Sequence, residues 1–319
     1  MLYKLVITFL VLSIALIAPY FAYLEHKPYS KDEPIYIKDG LSINDAISEV
    51  AKQNFVNKAF LKYFLYFNKI KTFKSGEYDI YGKPMSEIIF DMNEGNTITH
   101  KIRINEGTNI YDLNNLINDS MLVNDCQFLS CIRTDFNFKE GILYPDTYFY
   151  KKGNLASNIL QKSHDRLKKY LDELKHSQKN NNNLDINEIL ILSSIVEKEA
   201  GNNNEKKLIA GVFLNRLEKN MRLQADPTII YGLLPNFDGD IKKSNILDRN
   251  NKYNTYMING LPPSPIAISS ISSIDAVFNG KPGKFLYFVA DSKTSHYFSK
   301  TYEEHVNKIK ELGLNKWKL

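Results

Sequence analysis

Glu197 and Glu199 stand close together in the run SSIVEKEAG, and their spacing gives them opposite surroundings on a helix. Asp185 starts that helix with Glu188 three residues on, an N-terminal capping pattern, and Gly201 is expected to stop it. At about 100° per residue, Leu192, Ile195, Val196 and Glu199 fall on one side. Glu197 lies roughly 160° from Glu199 by the same count, among solvated groups. A carboxyl on a core-facing stripe is desolvated, and the negative end of the helix dipole is close by. Both effects favour the protonated form, which is what a general acid needs near neutral pH. A structural glutamate bonded to backbone is the competing reading of the same position.

The elements around this helix read clearly. Glu205 to Asn220 is an amphipathic helix with Leu208, Ile209, Val212, Phe213 and Leu217 on its buried face. Asp226-Pro227 is expected to break the chain before TIIYGLL. The stretch YNTYMINGLPPSPIAI sets tyrosines and small polar groups ahead of a proline-stiffened loop. FLYFVAD and SHYFS form a predicted β-hairpin across SKT, and Tyr302 to Leu312 a terminal helix. GKPGK lacks the spacing and the Ser/Thr of a phosphate-binding loop and is a turn.

Nearer the N-terminus, PIYIKDG reads as a strand ending at Gly40, and SINDAISEVAKQ as a helix capped by Ser42 with Asp45 three later. A second helix, roughly Asn57 to Asn68, carries Phe60, Tyr63, Phe64, Tyr66 and Phe67, a stripe read as core. A strand through Tyr78 and Ile80 leads to a helix near Met85. A strand at Ile102 and Ile104 leads to another from about Asn109. Successive strand–helix units without a Gly-rich phosphate loop argue for a small α+β module, not a dinucleotide-binding sheet. The aromatic segment FNFKEGILYPDTYFYKKG follows, then a charged helix from about Leu155 to Lys175 and the polar connector SQKNNNNLD.

Composition narrows the setting. The 319 residues are 43% hydrophobic, with 41 Lys+Arg against 36 Asp+Glu and a net charge of +5. That balance is too mild to argue for nucleic acid, and fits weakly with an anionic membrane or polymer. Leu5 to Leu24 is apolar and uncharged, enough to span roughly 30 Å of hydrocarbon as a helix. An uncleaved anchor is the expectation; a cleaved signal peptide competes with it. The two cysteines, Cys126 and Cys131, could pair in an exported domain or stay as half-buried thiols. The six histidines show no ligand spacing, so neither metal nor cofactor is expected.

The longer motifs resemble one family, the YceG-like endolytic murein transglycosylases. FKSGEYDIYGKPMSEIIFDMNEG and INEGTNIYDL look like its membrane-proximal half, and EGILYPDTYFY like its linking segment. SIVEKEA, FLNRLEKNMRLQADPTIIYG, YNTYMINGLPP and FLYFVADSKTSHYFS look like its catalytic domain. The resemblance implies an α+β fold: a transmembrane anchor at 1–24, a linker at 25–33, a membrane-proximal LysM-like region at 34–134 and a mixed helix-plus-sheet catalytic domain at 135–319. It implies cleavage of the β-1,4 bond between N-acetylmuramic acid and N-acetylglucosamine within peptidoglycan strands, leaving a 1,6-anhydro ring. It also implies residence in the cytoplasmic membrane with the catalytic domain outside, and cell-wall synthases as partners. The family's catalytic glutamate matches Glu199.

Such an enzyme needs one carboxyl, because the muramic acid's own C6 hydroxyl is the nucleophile. Neighbouring groups then position sugar and acetamido groups. Gln224, Asp226, Thr228, Tyr231, Tyr253, Asn254, Thr255 and Tyr256 suit this by type, though each could be structural. Asp226 could instead raise the pKa of Glu199, or simply begin a turn. The rival functions are a wall-binding scaffold without turnover and a hydrolytic muramidase. The lack of a Ser or Cys nucleophile motif beside His and Asp argues against a peptidase.

Overall fold

A computed structural model describes residues 2–29, 33–51, 54–177 and 180–314. Parts of the expected linker (30–32) and of the polar connector (178–179) lie outside the described residues. The chain forms two compact units, Met1–His100 with Phe149–Asn154, and Lys101–Tyr148 with Leu155–Leu319. The domain boundary expected at 134/135 therefore lies inside the second unit. Among the described residues the architecture mixes helices with three two-stranded sheets.

The first unit contains α1 (Leu2–Glu25), β1 (Ile35–Ile37), α2 (Ile43–Val50), α3 (Phe55–Phe67), β2 (Gly76–Tyr78) and α4 (Met85–Glu94). Ser42 caps α2 as its sequence indicates, its hydroxyl accepting the Asp45 N–H at 3.2 Å. β1 and β2 pair antiparallel with Ile35 opposite Tyr78 and Ile37 opposite Gly76. Gly76 has φ +143°, and a Cβ there would come within 2.4 Å of the Thr97 methyl, so only glycine lets the strand lie under Thr97. Ile37, Ile47, Leu61, Tyr78, Ile88 and Met92 fill the core. The aromatic stripe of α3 departs from expectation. Phe64 is buried and Phe60 half-buried, whereas Tyr63, Tyr66 and Phe67 are exposed.

Within α1, Val6–Glu25 is the one helical segment among the described residues long and apolar enough to cross a membrane. Phe9, Val11, Ile14 and Ile17 are exposed, while Leu24 near its end is buried in the unit's core.

β3 (His100–Ile104) and β4 (Asp146–Tyr150) pair, and the division between units cuts both strands. The second unit continues with α5 (Ile110–Asn118), α6 (Ala156–Ser177), α7 (Ile186–Glu199), α8 (Lys206–Glu218), α9 (Asp226–Leu233), α10 (Lys243–Ile246), α11 (Ile271–Phe278), β5 (Tyr287–Ala290), β6 (His296–Ser299) and α12 (Tyr302–Glu311). Cys126 and Cys131 are disulfide-bonded, with Cα atoms 5.1 Å apart.

α7 is the central helix. It is buried continuously from Ile189 to Val196 and packs on α8, α9 and α11. Ser193 and Ser194 survive there because their hydroxyls return to the Ile189 and Ile191 carbonyls. The Asp185–Glu188 capping box is present in full. Gly201, however, is not a left-handed cap: the helix ends through extended Ala200. A Cβ on Gly201 would meet the Thr294 backbone at 2.8 Å, so its smallness serves a close approach of the β5–β6 turn. Two further expectations are revised. Leu208 is exposed although Ile209, Val212 and Phe213 are buried. Asp226-Pro227 opens α9 instead of breaking the chain, because proline at the first helical turn lacks only an N–H the helix would not use.

Asp185→Ala removes the acceptor for the Asn187 and Glu188 N–H groups at the start of this central helix. It should cost about 1 kcal/mol in urea unfolding, whereas Asp185→Asn should cost much less.

Candidate active site

The C-terminus of α7 delivers Glu199 to a cavity of about 450 Å³. Its other walls come from Arg216 on α8, Leu223, Gln224 and Asp226 before and at the start of α9, Tyr256, the β5–β6 hairpin (Tyr287, Phe288, Val289, Ala290, His296) and α12 (Tyr302, His305, Val306, Ile309). All lie in the second unit.

Glu199 is half-buried and, among the described residues, its carboxyl accepts no hydrogen bond. Burial pushes its pKa up to about 8; the nearby Asp226 charge adds to the rise and Arg216 opposes it. The Tyr256 hydroxyl donates to Asp226 Oδ1 at 2.6 Å, holding the second carboxylate in place. A carboxyl that keeps its proton near pH 7, facing a cavity and not spent on the fold, is equipped to donate that proton.

Among the described residues, Glu140 is the other carboxyl with a raised pKa, about 7, again chiefly through burial. It is only 4% exposed, accepts the Ile110 and Gly141 N–H groups, and takes a hydrogen bond from Tyr231. Its oxygens hold the start of α5, so it is structural. The comparison singles out Glu199.

Glu197 corrects the sequence reading. It is not solvated: its side chain is 8% exposed. It accepts the Ser270 N–H at 3.0 Å and the Ser270 and Ser273 hydroxyls at 2.5 Å each, and Lys206 Nζ lies 3.1 Å away. Burial alone would raise its pKa, but these hydrogen bonds and the Lys206 charge outweigh it and hold the carboxyl ionised below its usual range. Glu197 ties α7 to the N-terminus of α11, and it does not line the cavity.

Of the eight polar residues picked from sequence, Gln224, Asp226 and Tyr256 join Glu199 around the cavity. Gln224 reaches it from a left-handed backbone, φ +51°, a conformation an L side chain adopts only at some cost. Thr228, Thr255 and Asn254 are fully buried elsewhere. The two threonine hydroxyls meet at 2.9 Å, and Ala225 N–H donates to Thr255, which fixes the backbone carrying Gln224 and Asp226. Asn254 donates to the carbonyls of Asn245, Ile246 and Asp248. Tyr231 and Tyr253 form an aromatic pair, centroids 4.7 Å apart, turned to Glu140 and Ser264 instead of the cavity.

Arg216, and the part the predicted hairpin plays in the cavity wall, were not anticipated. Arg216 donates through Nε to the Leu286 carbonyl at 2.7 Å and through Nη1 to the Leu223 carbonyl at 2.8 Å, with Tyr287 under its guanidinium. It thus joins opposite walls of the cavity. An arginine beside the apolar run AGVFL, on a helix with a buried face, is the signal that could have found it. Glu205 accepts both the His296 N–H and Nδ1, and Asn202 holds the Thr294 carbonyl, so the asparagine-rich loop clamps the hairpin.

The chain matches the model of the YceG-like family over residues 35–311. It belongs to that family. This YceG-like chain is 30% identical over 318 residues to an endolytic murein transglycosylase of Bacillus subtilis, the match covering 89% of this chain and 87% of the relative. An endolytic murein transglycosylase of Streptococcus pneumoniae is 33% identical over 178 residues, which is 54% of this chain and 32% of that longer protein. The crystal structure of a YceG-like protein from Listeria monocytogenes is similar, with a TM-score of 0.55 and 29% identity, covering 86% of this chain and 98% of the other.

Two substitutions on α7 should behave oppositely. A raised carboxyl pKa means the native state binds more protons than the unfolded chain between about pH 4.5 and pH 8, so stability falls as pH rises through that window. Glu199→Gln removes this effect and should stabilise by about 1–3 kcal/mol at pH 9 and hardly at all at pH 4. Glu197→Gln should destabilise by about 2–4 kcal/mol at neutral pH. Because the Glu197 pKa is lowered from its ordinary 4.5, that loss should shrink as pH falls below the ordinary carboxylate range. Denaturant unfolding of both variants against the parent at several pH values reads all four effects.

Proposed function

We propose that the chain is a membrane-anchored endolytic lytic transglycosylase acting on peptidoglycan strands, with Glu199 as its single proton carrier. The observation that carries this reading is the Glu199 carboxyl, its pKa pushed up to about 8 by burial, facing a cavity and, among the described residues, accepting no hydrogen bond. Glu199 donates its proton to the oxygen that bridges N-acetylmuramic acid to N-acetylglucosamine as the C1–O bond breaks. The C6 hydroxyl of the same muramic acid then closes on C1 and gives its proton to the Glu199 carboxylate. The products are a 1,6-anhydro end and a free C4 hydroxyl, and the enzyme is back in its starting protonation state.

The nucleophile is intramolecular, so the protein has to position it rather than activate water. Gln224, Asp226 and Tyr256 are the proposed sugar-facing groups, and Arg216 holds the two walls that present them. Asp226 also keeps Glu199 protonated through its charge. The same residue gives the hydrolytic alternative its one support, since a second carboxylate in the cavity could serve water. For the setting, α1 is read as a retained anchor. The Cys126–Cys131 bond fits an oxidising compartment outside the cytoplasmic membrane. The β1–α2–α3–β2 core of the first unit is the proposed LysM-like, glycan-binding module.

Full-length protein incubated with purified sacculi should yield 1,6-anhydro ends by mass spectrometry. Glu199→Gln should lower that yield by about 100- to 10,000-fold while remaining folded. Unchanged yield in the folded variant would sink the mechanism, and heavy oxygen from labelled water at the new ends would establish the hydrolytic reading instead. Activity should fall as pH rises through about 8, where Glu199 loses its proton. Asp226→Asn removes a charge that raises this pKa, so the alkaline limb of kcat/KM should move to lower pH.

A further inference from the structure

α3 is apolar on both sides. Leu61, Phe64 and Leu65 face the core of the first unit, whereas Phe55, Tyr63, Tyr66 and Phe67 are 84%, 57%, 84% and 74% exposed. The Tyr63 and Phe67 rings stack on this outer face with centroids 6.4 Å apart. A soluble surface seldom leaves so many large rings together.

The outer face is continuous with the end of α1. Tyr20 packs edge-on against Phe60 and Tyr63, centroids 5.7 and 5.4 Å away, and Tyr23 also contacts Phe60. Tyr20 sits about 8 Å along the axis from the end of the apolar span Val6–Glu25, at a rise of about 1.5 Å per residue. That is the depth at which tyrosine belts occupy a membrane interface. Charge agrees: from Phe55 to Lys74 the chain has Lys58, Lys62, Lys69, Lys71 and Lys74 and no acidic residue, and Lys62, Lys69 and Lys71 are exposed. Rings with polar tips beside a cluster of lysines are the chemistry of an anionic lipid surface.

We propose that the exposed aromatic face of α3 lies in the headgroup layer of an anionic phospholipid bilayer, beside the point where α1 leaves it. The first unit is then held against the membrane by two contacts instead of hanging from one helix. This rests on the reading of α1 as a retained anchor.

The test uses the full chain with Trp317→Phe and Tyr66→Trp, or Phe67→Trp if the first variant does not fold, so that one tryptophan reports on α3. It is reconstituted into vesicles of phosphatidylcholine and phosphatidylglycerol carrying bromine on shallow acyl carbons. Flotation reports on α1 and quenching on α3. The expected result is flotation, loss of about half or more of the fluorescence to brominated lipid, and protection from aqueous iodide, all weaker in purely zwitterionic vesicles. Flotation with strong iodide quenching and no bromine effect would overturn the surface and leave the anchor standing. Protection from iodide without a bromine effect would mean that protein, such as a second copy, covers the face, and also overturns it. Failure to float would remove the anchor and this proposal together.

Discussion

A carboxyl that holds its proton at neutral pH needs scarce water and a nearby negative charge, and the second unit is arranged around supplying both to Glu199. Desolvation by the cavity walls is the larger influence and Asp226 the next, with Arg216 working against them. The walls therefore help set the pKa of Glu199. α7 supplies the depth by running through the core, and the hairpin and α12 supply the cover. Arg216 ties the Leu223 and Leu286 backbones together at the cost of a cation near the acid, a compromise that Asp226 offsets.

The two glutamates of VEKE show how environment divides identical side chains. Glu197 meets two hydroxyls, one backbone N–H and a lysine, and is fixed as an anion. Glu199 is set apart by burial and by the charge of another carboxylate, which together outweigh Arg216 and push its pKa up to about 8. One sets the relation of α7 to α11; the other, among the described residues, accepts no hydrogen bond. Glu140 shows that a raised pKa alone does not make an acid catalyst, since its oxygens are committed to backbone N–H groups.

Helix starts were legible because caps are local: Ser42, Asn109, Asp185 and Thr301 each satisfy their own first turn. Glu199 was legible because periodicity places it on the buried side of α7. Glu197 was misjudged because its partners, Ser270 and Ser273, lie more than seventy residues away and no local pattern announces them. Thr228, Thr255 and Asn254 have the chemistry of sugar-binding residues, but internal donors and acceptors use it up. The stripe on α3 has the composition of a core, but composition does not say which side of a helix packs: Phe64 turns inward while Tyr66 and Phe67 face outward. Arg216 and His296 act through backbone carbonyls and a long-range carboxylate, contacts that side-chain type alone does not specify.

The most direct measurement is the ionisation of Glu199 itself. Carbon-13 NMR of the full chain labelled at glutamate side-chain carboxyls, compared with Glu199→Gln, isolates the one resonance that disappears. That resonance should titrate with a midpoint near pH 8. A midpoint in the ordinary carboxylate range, near pH 4.5, would show that Glu199 is ionised at neutral pH and contradict its proposed role as the proton donor.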